Sequence, residues 1–141
     1  MNAQELISTY HIGWVGLAAG MTFVALDALI NANPLAKRLY VAYRPIMRFS
    51  VNAGLGVALD VAFGLAMAIL FVALTPALPI GWLAKGLAFG LIAWFFRVVM
   101  SAASNFVMFQ IPAATTIYTL ATGLAEMLLL GLLYAVLLRP R

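Results

Sequence analysis

The residue pattern predicts an all-α integral membrane protein, four transmembrane helices in a compact up-down bundle, with residues 1–141 forming a single domain. Three observations predict it. Of 141 residues, 66% are hydrophobic and only 9% charged, against roughly 45–50% and about 25% in a soluble domain. A soluble fold this small could not bury so much apolar surface. Prolines 34, 45, 76, 79, 112 and 140 fall between or after long apolar runs, where their effect on helix interiors is harmless. The runs themselves, about 10–31, 49–74, 80–108 and 113–138, each exceed the ~20 residues that span a hydrocarbon core.

The first run carries Tyr10 and Trp14 at its start, as aromatic residues at the headgroup level do. The residues before it include Glu5 but no Lys or Arg, unlike the basic start of a signal peptide, so this run is expected to remain in the mature protein. Gly13, Gly16, Gly20 and Asp27 share a loosely spaced face. His11 reads as an interfacial residue.

The basic segment after it holds Lys37, Arg38, Arg44 and Arg48, half of the eight basic residues. Such a cluster between apolar spans marks a loop facing anionic lipid headgroups, and the net charge of +4 therefore points to membrane lipids and not to nucleic acid. A short interfacial helix over 35–49, followed by a turn at Pro45, is the alternative to a plain loop. The opposite face has Lys85, Arg139 and Arg141. The asymmetry places the basic loop in the cytoplasm and both termini outside.

In the second run Asn52, Gly56, Asp60, Gly64 and Ala68 recur every four residues, and such residues share one helix face. The third, at 29 residues about 43 Å long as a helix, must tilt or end at the interface. It offers Gly86, Gly90, Ala93, Arg97, Ser101 and Ser104. The fourth offers Thr115, Thr119, Thr122 and Glu126, with Tyr134 near its far end as a further aromatic expected at the headgroup level. Gly16/Gly20 and Gly86/Gly90 are small-xxx-small pairs that let helices approach closely. Val-Ala-Leu-Asp occurs at 24–27 and 57–60, a coincidence in a chain so rich in these residues.

Three of the four acidic residues, Asp27, Asp60 and Glu126, lie inside predicted spans, as does Arg97. An Asp, Lys or Arg near a helix centre costs roughly 2.5–3.5 kcal/mol on insertion scales. These side chains must face water, the bundle interior or one another. Asp27, Asn52, Asp60, Arg97 and Glu126 form the candidate intramembrane polar site, with Asp60 and Arg97 expected to pair near the midplane.

With no cysteine and a single histidine, thiolate chemistry, cysteine-type metal sites and bis-histidine haem ligation within one chain are excluded. No cofactor, metal site or catalytic residue set is expected. Three functions compete. A transporter or channel for protons, cations or cationic small molecules, as a homo-oligomer, suits three acids against one base. A non-catalytic accessory or scaffold subunit of a larger membrane complex suits the absence of extramembrane mass. A lipid-modifying enzyme with an acid–base carboxyl pair ranks last, for want of a nucleophile or metal site. The setting expected is a bacterial cytoplasmic membrane.

Overall fold

The computed structural model describes residues 3–47, 50 and 52–138, with side chains from residue 9 onward apart from the same gaps. Arg48, Phe49, Arg139, Pro140 and Arg141, and the side chain of Glu5, lie outside this description. Among the described residues all regular structure is helical: α1 (Ala3–Ala32), α2 (Pro34–Leu39), a 3-10 segment (Tyr40–Ile46), α3 (Ala53–Leu74), α4 (Trp82–Trp94), a π turn (Phe95–Val99), α5 (Met100–Met108) and α6 (Ala113–Leu137). Four stretches are long and apolar enough to cross a membrane: Thr9–Ala32, Ala53–Ala77, Trp82–Met108 and Ala113–Leu137. The protein is a multi-pass membrane bundle.

Local chemistry explains the breaks. Asn33 ends the first span and caps α2, its side-chain oxygen accepting from the Ala36 N–H at 2.9 Å, while Pro34 fills the first helical turn where a missing N–H does no harm. Asn52 does the same for α3, accepting from Leu55 N–H at 3.0 Å. Between the second and third spans the chain turns through Gly81 at φ 94°, a conformation that suits glycine. Pro112 precedes α6, where its fixed φ breaks the third span from the fourth.

Two helix pairs build the bundle, and both rest on glycine. A Cβ on Gly64 would collide with the backbone of Gly20 and Gly16, and one on Gly131 with that of Gly86 and Gly90. Each predicted small-xxx-small pair thus receives a glycine from the neighbouring antiparallel helix. In a bilayer this close packing drives association, because lipid is as apolar as the side chains. The two crossings differ in depth. Gly16, Gly20 and Gly64 meet near mid-membrane, whereas Gly86 and Gly131 lie within about two turns of the face opposite the first loop.

Past its crossing the second pair separates. Side chains fill the space: Val98 lies against Gly123, and the Trp94 indole donates to the Leu120 carbonyl at 3.0 Å. The far end is sealed instead by Phe71, Phe89 and Tyr134, whose rings sit 5.0–5.9 Å apart. The expected interfacial position of Tyr134 is corrected here. It is fully buried at 0% exposure, and its hydroxyl donates to the Gly64 carbonyl at 2.8 Å. On the same face His11 lies 2.8 Å from the Leu137 carbonyl, one of the last carbonyls of α6 that no helical N–H can reach.

Candidate functional site: a polar cavity beneath the first loop

The first loop is folded. Ala36 of α2 is fully buried, the Thr115 hydroxyl donates to the Leu39 carbonyl at 3.0 Å, and Tyr40 stacks edgewise on Tyr118 and Tyr43. Tyr118 in turn donates to the Ile30 carbonyl at 2.9 Å and accepts from Asn33 at 2.6 Å. These contacts clamp the segment over the start of α6. Burial pushes the Tyr40 phenol above its ordinary pKa, the Thr119 hydroxyl opposing part of the rise. Lys37, Arg38 and Arg44 remain exposed beside exposed Leu35, Val41 and Ile46, which matches the interfacial-helix alternative better than a plain loop.

Beneath this segment lies a cavity of about 250 Å³. The end of α1 supplies Asp27 and Asn31, the 3-10 segment Tyr40 and Tyr43, the third span Arg97, Ser101 and Asn105, and α6 Thr116, Thr119, Thr122 and Glu126. The cavity thus gathers three of the five predicted polar-site residues. Glu126 is the fourteenth of 25 residues in α6, so its carboxyl stands near the middle of the span.

The remaining two predicted residues are elsewhere. Asn52 is the exposed cap of α3 and not an intramembrane polar group, because the helix begins at Ala53. Asp60 is half-buried and is not part of the cavity wall. Counted from the cap it lies about 12 Å along the helix, shallower than a helix starting at residue 49 would put it. Gly56 on the same stripe, and Gly13 on α1, have no neighbour that a Cβ would touch.

The expected Asp60–Arg97 ion pair does not form. Arg97 sits within the π turn, where Met100 N–H bonds back to the Phe95 carbonyl. Contacts with α6 pass along the third span from Gly90 through Trp94 to Val98. Arg97 stands off that line, toward α1 and α3. Its guanidinium lies 4.0 Å from the ring centroids of both Phe23 and Phe63. A desolvated cation–π contact is worth about 2 kcal/mol, so two rings offset much of the insertion cost of an arginine.

Among the described residues, two side chains of the cavity wall carry a buried charged atom without a hydrogen-bonding partner. They are Arg97, at Nη1, and Glu126, at Oε1. Glu126 is only 7% exposed. The neighbouring hydroxyls do not relieve it. Thr119 donates to the Thr115 carbonyl at 3.0 Å and Thr122 to that of Tyr118 at 2.8 Å. A hydroxyl has one proton to give, so this wall presents acceptor lone pairs to the cavity. Asp27, by contrast, accepts from Asn31 at 2.9 Å.

Residue types account for what was missed. Tyr40, Tyr43, Asn31 and Asn105 carry no periodic signal, and nothing in Phe95–Val99 announces a π turn. Among the described residues no three His, Asp or Glu side chains converge to hold a metal ion. Comparison with protein families, curated proteins and solved structures gives no match for this chain.

Proposed function

We propose that this protein is a small membrane carrier that binds a cationic ligand, a proton or a small organic cation, in the cavity under its first loop. The observation that carries this is the buried Glu126 carboxylate, unpartnered in mid-span, beside the Thr119 and Thr122 hydroxyls, which have already donated their protons. These two hydroxyl oxygens and the carboxylate are acceptors that suit a cation. The aromatic seal of Phe71, Phe89 and Tyr134 beyond it favours a carrier over an open channel, because a channel needs a continuous path. In this reading the basic face, with Lys37, Arg38 and Arg44, is cytoplasmic in a bacterial membrane. Purified protein in liposomes, loaded with a pH-sensitive dye and challenged with a cation gradient, tests it. Wild type is expected to support flux, and Glu126→Gln, which keeps the shape, to reduce it at least about tenfold. Equal flux in both forms, or none in either, overturns the proposal.

The accessory-subunit reading rests on a different observation. Residues 52–59 of the second span are exposed all round, leaving Asn52, Gly56 and half-buried Asp60 on a face that a partner helix or a second copy would cover. Isolation in mild detergent at native expression separates the two, since stoichiometric foreign subunits favour the accessory role.

A further inference from the structure

Two residues of the cavity wall each carry a buried orphaned atom, and the two atoms are of opposite kind. Arg97 Nη1 is a cationic donor without an acceptor, and Glu126 Oε1 an anionic acceptor without a donor. A buried charged group that lacks its hydrogen bond is costly, so a ligand binds best when it satisfies both. A simple cation reaches Glu126 but adds a second positive charge near Arg97. A simple anion reaches Arg97 but stands against Glu126 and Asp27. A zwitterion answers each with the opposite charge.

A second feature extends the site. An apolar groove of about 280 Å³ runs between the second and third spans, lined by Phe63, Met67, Leu70, Ile92 and Phe96, and it also ends at Arg97. Phe96 is 70% exposed, so the groove is open to the lipid side of the bundle. Along the third span the wall changes at Arg97, from apolar groove on one side to polar cavity on the other. The cavity, at about 250 Å³, is below the ~300–1,000 Å³ typical of drug-sized sites and suits a headgroup alone.

Going beyond the cation-carrier reading above, we infer that the same cavity takes a zwitterionic amphiphile of the aminophospholipid type. Its ammonium lies at Glu126, its phosphate at Arg97 and its acyl chain in the groove between the second and third spans. Arg97 lies eleven residues from Met108, about 16 Å along the helix, so the headgroup is drawn well below its usual level. The hydroxyls and amides of Thr119, Asn31 and Asn105 replace part of its water.

Ligand retention by the whole protein tests this without relying on variants. Protein in maltoside micelles is mixed at matched mole fraction with lysophosphatidylethanolamine, lysophosphatidylglycerol, a long-chain alkylamine or chainless phosphoethanolamine, and adducts are read by native mass spectrometry. Lysophosphatidylethanolamine is expected to be retained at least about tenfold over each of the others, the effect of one missing charge-assisted hydrogen bond or of the chain. Arg97→Gln should abolish the preference over the alkylamine, and Glu126→Gln that over lysophosphatidylglycerol. Equal retention of the alkylamine by wild type makes this a plain cation site and overturns the inference. So does equal retention of phosphoethanolamine, which assigns the site to a soluble zwitterion. Glu126-dependent cation flux without lipid preference leaves the carrier reading standing and removes only this inference, whereas lipid preference without flux does the reverse.

Discussion

Arg97 shows how a charge is accommodated in a bilayer without a bonded counter-ion. Its guanidinium is held between Phe23 and Phe63 at 4.0 Å from each ring, and the carboxylates act on it only through space. The contributions are separable by double-mutant cycles in mixed micelles. Phe23→Leu combined with Arg97→Gln should show a coupling of about 1–2 kcal/mol, as for a desolvated cation–π contact. Asp60→Asn combined with Arg97→Gln should be additive within about 0.5 kcal/mol. Strong coupling to Asp60 with none to Phe23 would restore the ion pair that residue depth alone implied.

At the scale of elements, identical residue types do different work. Gly64 and Gly131 stand where two helix backbones touch, and Gly13 and Gly56 face open space. Gly64→Ala or Gly131→Ala must force a helix pair apart, since the obstruction is backbone and cannot rotate away. A loss of about 2 kcal/mol or more is expected, in the range of severe overpacking. Gly13→Ala and Gly56→Ala are expected to be neutral or stabilising by up to about 1 kcal/mol, because alanine restricts the unfolded chain and favours helix. Thermal unfolding in one detergent ranks all four. Similar losses at every position would mean that the open glycines are covered by another chain.

On the scale of the whole molecule the bundle is asymmetric. One end is closed by Phe71, Phe89 and Tyr134, and the other holds the cavity beneath the 3-10 segment. The native chain contains no cysteine, so single cysteines report accessibility on a clean background. Asn105→Cys, on the cavity wall, should react with a membrane-impermeant maleimide added from the first-loop side. Ala68→Cys, at a fully buried position, should not react from either side. Labelling of Asn105→Cys only from the opposite face would reverse the orientation of the cavity. Labelling of Ala68→Cys would show that the closed end opens.

The four spans, the turns at proline and the two glycine pairs were legible in the sequence, because each is a local property. Apolar length measures membrane thickness, proline disrupts the interior of an α-helix, and residues four apart share a face. The acids and the arginine were legible as unusual for the same reason. Their arrangement was not, because it depends on how helices are phased and capped against one another. Arg97 is taken up by the rings of Phe23 and Phe63 and not by Asp60, and the cap at Asn52 shifts the depth of Asp60. The differing heights of the two glycine crossings decide that α5 and α6 part. Only that parting leaves Glu126 and Arg97 in one cavity without bonds to spend on each other.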